Sequence, residues 1–190
     1  MLFRSARIIG RVGALSLQPH TLDDTFEALA HSIVYQQLSG KAAATILGRL
    51  QALFPGHRLD AERYLSLDDK LVRGAGISGG KHRALTDLAH KKLAGVVPPV
   101  RELAGLGDDA IVERLTQVRG VGLWTVQMLL IFRLARPDVL PATDLGVRKG
   151  FQIAMGTDEL PSPAELLEHG ERWRPFRSVA AWYLWRATEL

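Results

Sequence analysis

The sequence predicts an all-α fold. Apolar residues recur at helical spacing through most of the 190-residue chain, and Gly and Pro clusters fall between these stretches instead of bounding alternating strand patterns. Capping residues precede several of the stretches. Thr21 with Asp24 forms a capping-box pattern opening a helix through FEALAHSIVYQQL, and Ser39 caps a second through AAATILGRLQALF, stopped by Pro55-Gly56. Ser66 with Asp69 opens a short helix ended by RGAGISGG, and KHRALTDLAHKKLAG makes another ended by Gly95 and Pro98. Asp108 begins a helix through AIVERLTQV, RGVG supplies a glycine hairpin, and LWTVQMLLIFRLA is the most apolar helix and the expected centre of the core. Beyond Pro137 and Pro141, Asp144 opens DLGVRKGFQIAMG; Ser162, Pro163 and Glu165 make a capping box with proline at the first helical position; Pro175 opens the last helix, to Leu190. This reading of caps and breakers gives about nine helices. No repeat, low-complexity tract or flexible linker divides them, so any lobes are set by packing.

With 47% hydrophobic residues the chain has ample material for a core. Its formal charge of +4, from 24 Lys and Arg against 20 Asp and Glu, permits a polyanionic partner without proving one. The lack of cysteine excludes disulfides, a Cys-ligated iron–sulfur cluster and thiol catalysis. His20, His31, His57, His82, His90 and His169 are scattered without the paired spacing of a zinc site, so no catalytic metal or other catalytic cofactor is expected. Arg4, Arg7 and Arg11 interrupt the apolar runs near the start, which suits neither a secretory signal nor a membrane span. The expectation is a soluble cytoplasmic protein, nucleoid-associated in a bacterium. An organellar transit segment ranks below it for want of a cleavage cue.

The stretch LTQVRGVGLWTVQMLL places two glycines, one residue apart, between helices. Gly120 and Gly122 can adopt positive φ, which would turn consecutive backbone N–H groups and the next helix start one way, a nest suited to phosphate. An ordinary αα-hairpin with a glycine turn fits the same residues. The longer string LxxVxGVGxWT resembles the helix-hairpin-helix of the DNA glycosylase superfamily. The resemblance continues downstream in LPATDLGVRKGF and ERWRPFRSVAAWYLW and upstream in HSIVYQQLSGKAAATI. These four blocks, running from about Thr25 to the C-terminus, look like DNA-3-methyladenine glycosylase II, the AlkA-type branch.

That resemblance implies a two-lobe helical glycosylase core, residues 1–190, with the helix-hairpin-helix at about 108–135 and without the β-rich N-terminal domain of larger relatives. The DNA site would lie in the cleft between lobes. It implies a monomer that binds double-stranded DNA containing damaged bases and excises N-alkylated ones, with no membrane partner. Backbone N–H groups at Gly120 and Gly122, with Thr125, would hold a phosphate. The carbonyls of Thr116, Val118 and Val121 would cradle a structural Na+ or K+. Arg119 departs from the proline common before GVG, losing a fixed φ and offering either a phosphate contact or plain solvated surface.

Cleaving an N-glycosidic bond builds positive charge on the sugar, so a carboxylate near the anomeric carbon stabilises the transition state and orients water. Asp144 is the candidate. An Asp between Pro-Ala-Thr and a helical run is also a good N-cap, and the two roles are compatible because helix-terminal N–H groups favour an anion. Arg148, one turn on, would pair with Asp144, form an exposed helix pair or meet phosphate. Related enzymes that also nick DNA carry a Schiff-base lysine two residues after the second glycine, where this chain has Trp124. The resemblance therefore implies hydrolysis without lyase activity.

A base must leave the stack before its glycosidic bond is reached. By the resemblance, Trp124 and Trp185 line the pocket, and an indole face prefers a cationic alkylated base; ordinary core packing is the other reading of each. Met128 falls where some relatives have a pocket tyrosine. Gln37 matches the wedge that fills the vacated stack, although Gln36 and Gln37 would equally satisfy backbone groups at a helix end. Ser39, Gly40 and Lys41 are placed to meet phosphate, and SGGKHR, residues 78–83, is either a DNA contact or a solvated cap. Trp173 and Trp182 are assigned to packing. Two rival functions stay open: a mismatch or oxidised-base glycosylase, and a non-catalytic helix-hairpin-helix DNA-binding module.

Overall fold

The computed structural model describes residues 2–17 and 24–190, with side chains from Arg7 onward. Its helices are α1 (Leu2–Val12), α2 (Thr25–Tyr35), α3 (Gly40–Gln51), α4 (Ala61–Leu65), α5 (Asp69–Gly74), α6 (Gly79–Leu93), α7 (Val100–Ala104), α8 (Asp108–Leu115), α9 (Leu123–Phe132), α10 (Leu145–Met155), α11 (Pro163–Gly170) and α12 (Arg177–Ala187). Two 3-10 turns, Pro55–His57 and Glu171–Trp173, complete them, and no strand occurs among the described residues. The all-α expectation holds. The count of about nine does not: α1 arises from the Arg-rich start, and α4 and α7, of five residues each, are too short to show a period. Among the described residues no helix is long and apolar enough to cross a membrane.

The chain forms two compact units, one of Thr21–Leu129 and one of Met1–His20 with Leu130–Leu190. In the first, α2 is central. Its residues from Thr25 to Ala30 are all buried and it packs against both α3 and α6, as expected of a helix enclosed nearly all round. Phe26, Leu29 and Ile33 of α2 join Leu50 of α3, Leu85 and Leu88 of α6, and Ile111 and Leu115 of α8 among the buried residues. Asp24 caps α2 by accepting the Phe26 N–H at 2.7 Å; Thr21, its expected box partner, lies outside the described residues. Ser39 caps α3 as expected. Ser66 does not open the next helix: it closes α4, and Asp68 caps α5 instead.

The second unit is organised by α10 crossing α12, with α1 packed on both. The crossing is close because Gly150 lacks a side chain: a Cβ there would lie 1.8 Å from the Leu184 carbonyl oxygen. Leu140, Ala142, Val147, Phe151, Met155, Leu166, Ala181 and Leu184 form the core, with Trp173 against its edge. The box at Ser162 is complete: its hydroxyl accepts the Glu165 N–H at 3.2 Å, and the Glu165 carboxylate accepts the Ser162 N–H at 2.7 Å. The last helix begins at Arg177, two residues after Pro175. In its first turn the Ser178 hydroxyl donates to the Arg136 carbonyl at 2.6 Å and accepts the Val139 N–H at 3.0 Å, which fixes the segment between α9 and Asp144.

Candidate active site and DNA-facing hairpin

Asp144 is the N-cap of α10. Its Oδ1 accepts the Val147 N–H at 2.8 Å and, from 41 residues away, the Trp185 indole N–H at 2.8 Å. Two donors on one oxygen fix the plane of the carboxylate and its aim. The approach of the indole depends on Gly146, where a Cβ would stand 2.9 Å from Trp185 Cδ1 and 3.1 Å from Asp144 Oδ1. Gly146 and Gly150 lie one helical turn apart and share the α10 face that meets α12; the first admits the indole ring, the second the backbone. Trp185 also packs against Phe132, ring centroids 5.6 Å apart. The sequence marks Trp185 as a stacking face; its donation to Asp144 is the part that sequence reasoning missed, and the glycine pair is the signal for it.

Arg148 directs its ε nitrogen to the Pro161 carbonyl at 2.7 Å, which ties α10 to the start of α11. Asp138, on the segment before Asp144, accepts hydrogen bonds from Arg177 at 2.7 and 3.1 Å and from Arg174 at 2.7 Å. Those bonds, Arg177 foremost, hold its carboxyl below the ordinary value and brace the segment leading to Asp144.

In the Thr21–Leu129 unit the hairpin joins α8 to α9. Gly120 has φ +77°, which calls for glycine, and a Cβ there would stand a tight 3.2 Å from Ala84 Cβ. Gly122 departs from the expectation: its φ is not positive, and it precedes α9 with its carbonyl accepting the Val126 N–H at 3.2 Å. Arg119 has an exposed side chain, but its backbone N–H is turned inward to Asp87 Oδ2 at 2.7 Å, and Lys91 donates to the same oxygen at 2.8 Å. The Val121 N–H goes to the Val118 carbonyl at 3.0 Å. The hairpin is thus braced from α6.

Trp124 is 41% exposed and Met128 half-buried. Four residues apart on α9, they share a face. Thr125 is buried. Thr116 closes α8, its hydroxyl donating back to the Val112 carbonyl at 2.7 Å, so the three residues named for a cation offer backbone oxygens just beyond a helix C-terminus. Neutral oxygens of this kind suit a hard monovalent ion in preference to a transition metal.

Gln37, exposed, has φ +57°, the left-handed region that a glutamine seldom occupies. It stands between α2 and α3 with Tyr35 and Leu38 also exposed, and Lys41 follows, exposed, in the first turn of α3. Gln36 behaves differently: its side-chain amide donates to the Gly120 carbonyl at 2.8 Å. SGGKHR is partly pulled inward. Ser78 caps α6, Lys81 bonds to the end of α2, and His82 Nδ1 meets the Tyr64 hydroxyl at 2.8 Å. Trp182 is buried, as expected.

Comparison with known proteins gives a consistent result. The profile described as "HhH-GPD superfamily base excision DNA repair protein" matches residues 30–175. DNA-3-methyladenine glycosylase 1 of Schizosaccharomyces pombe is 36% identical over 168 residues, 88% of this chain and 74% of that protein. The putative DNA-3-methyladenine glycosylase YfjP of Bacillus subtilis is 30% identical, over 90% of this chain and 62% of its own. Among solved structures, the S. pombe 3-methyladenine DNA glycosylase Mag1 in complex with abasic DNA superposes with a TM-score of 0.89 at 34% identity, over 98% of this chain and 92% of its own. A Bacillus halodurans DNA-3-methyladenine glycosidase gives 0.86 at 34% identity, over 97% and 83%. On a profile match spanning most of its length and relatives of this similarity, the chain belongs to the HhH-GPD superfamily of base excision DNA repair proteins.

Proposed function

We propose that this protein is a monofunctional DNA glycosylase that releases N-alkylated bases of the 3-methyladenine type from double-stranded DNA, acting as a monomer. The observation that carries the reading is the oriented carboxylate of Asp144, held on one oxygen by a helix N-terminus and by the Trp185 indole, in a chain whose relatives are named for that activity. As the bond between C1′ and the base nitrogen breaks, positive charge grows on the sugar, and Asp144 meets it with a group whose orientation is already set. Water adds to C1′ and forms the new C–O bond; its proton passes to Asp144 or to solvent, and the bonding pair leaves with the base.

The remaining residues handle the duplex and the extruded nucleotide. N–H groups of Gly120, Gly122 and the first turn of α9, where Thr125 lies, grip a phosphate, with Arg119 and Lys41 adding charge. Gln37 enters the vacated stack. Trp124, Met128 and Trp185 supply faces for the extruded base, the indoles favouring a cationic alkylated ring. Thr116, Val118 and Val121 would hold a Na+ or K+ that stiffens the hairpin. No lysine lies between Gly120 and Arg136, so the hairpin and α9 provide no amine for a Schiff base.

The test is single-turnover release of free base from an alkylated duplex. Wild type releases it, and strand nicking appears only after alkali. Asp144→Asn keeps duplex affinity and loses release by on the order of 10²-fold or more. Tight DNA binding with no release from any alkylated lesion would overturn the enzymatic reading.

A further inference from the structure

The turn that carries Gln37 is held from two directions by side chains that lie behind it. Lys81 Nζ donates to the carbonyls of Val34 at 2.7 Å and Gln36 at 2.8 Å, the last acceptors of α2 before the chain turns. The Gln36 amide then donates to the Gly120 carbonyl at 2.8 Å, with Thr125 Oγ1 at 3.5 Å. Gly120 accepts through an oxygen, so the nitrogen of the Gln36 amide must face it. One residue is therefore anchored by its backbone to α6 and by its side chain to the hairpin, and the next residue is Gln37 in the left-handed conformation.

Lys81 is an unexpected choice for this place. It sits in the first turn of α6, where the helix dipole disfavours a cation, and it is half-buried, which lowers its pKa. Neither feature favours a lysine for stability alone. A strained backbone conformation persists only where its surroundings over-determine it, and the two anchors supply that.

We propose that Lys81 and Gln36 are positioning residues for base extrusion, locking the Gln37 turn to the hairpin so that wedge and phosphate grip are pre-aligned before DNA arrives. This rests on the reading of Gln37 as the wedge. With the lock intact, phosphate capture at Gly120 places Gln37 at a set distance along the duplex; without it, the wedge searches for the gap after binding, and small misplacements of a positioned group are costly in rate.

The experiment compares Lys81→Met, Lys81→Arg, Gln36→Ala and Gln37→Ala by single-turnover base release from two duplexes, one with the alkylated base paired and one with it opposite an abasic site, where extrusion is easier. Lys81→Met and Gln36→Ala are expected to keep their melting temperatures and filter-binding affinities near wild type, to release the paired lesion about tenfold more slowly or worse, and to recover most of that loss on the unpaired lesion. Lys81→Arg, which restores the donors, recovers the paired rate. An equal deficit on both duplexes, or none on either, overturns the proposal, and Gln36→Ala decides the matter should Lys81→Met fail to fold. Gln37→Ala separates the premises: if it is unimpaired on the paired lesion the wedge reading fails, whereas an impaired Gln37→Ala beside normal Lys81→Met and Gln36→Ala sinks the lock alone. Absence of release by wild type would instead count against the glycosylase reading.

Discussion

Asp144 owes its geometry to a neighbour that one extra carbon would displace. The Val147 N–H alone would cap the helix; the Trp185 indole N–H turns a capping carboxylate into one with a defined plane. Trp185→Phe keeps a ring against Phe132 and removes the donor. Its expected outcome is a loss of about tenfold in single-turnover base release, the scale of one hydrogen bond to a charged group, with duplex affinity little changed; unaltered release would show that Val147 suffices. Asp144 is legible in the sequence because its two candidate roles use the same local string, PATD followed by a helical run. Trp185 as its donor is not, because the bond spans 41 residues and nothing in WYLW names its acceptor. Gln36 is a similar case, its amide reaching a carbonyl 84 residues away.

At the scale of elements, the contact between α10 and α12 sets where both ends of that hydrogen bond stand. Gly150→Ala would drive a Cβ into the Leu184 carbonyl at 1.8 Å, a backbone atom that no rotamer change can move aside. The expected cost is about 3 kcal/mol or more of folding stability, read as a lower urea midpoint. A change within about 0.5 kcal/mol, the range usual for surface substitutions, would mean that the helices can part freely. Helices with caps and length are legible: Ser162 forms both bonds of its box, and Asp144 and Ser39 cap as expected. Those without are not. Ser66 looks like an opener because Ser–x–x–Asp satisfies the pattern, yet Asp68 lies closer to the start of α5 and takes the Lys70 N–H at 2.7 Å. In the first residues Arg4, Arg7 and Arg11 are more than interruptions of an apolar run: they recur at the helical spacing of α1, on which Ile8 is buried. Gly122 departs from its expected conformation for a simpler reason: one positive φ, at Gly120, is enough to make the turn.

For the molecule as a whole, each unit carries a carboxylate whose ionised form is favoured by folding. Burial pushes Asp87 upward, but the Arg119 backbone N–H and the Lys91 ammonium outweigh it and leave the value low. Asp138 is lowered by Arg177 and Arg174. A folded value below the unfolded one, about 3.9 for Asp, means that the folded state binds fewer protons. The stabilisation is therefore complete above the unfolded value and is lost as pH falls through the depressed folded values. His169, held below its ordinary value by burial and by Arg172, begins to cost stability as pH falls through about 6.5, so urea midpoints should decline gently from there and more steeply below about pH 4. In Asp87→Asn with Asp138→Asn the protein is weaker at neutral pH and its acid decline is shallower; an undiminished decline would place the sensitivity elsewhere. Since Asp87 fixes the hairpin through Arg119 and Asp138 steadies the approach to Asp144, acid loosens both of these segments along with the fold.

The indole that aligns Asp144 is also a chromophore. Its environment combines a carboxylate on the ring nitrogen with Phe132 5.6 Å away, both of which shape its emission. On the proposed function, a base arriving against that ring would alter the emission without any label on protein or DNA. The difference between wild-type and Trp185→Phe spectra thus isolates one residue of four tryptophans and would follow the occupancy of the site in real time, separately from the base release proposed for Asp144.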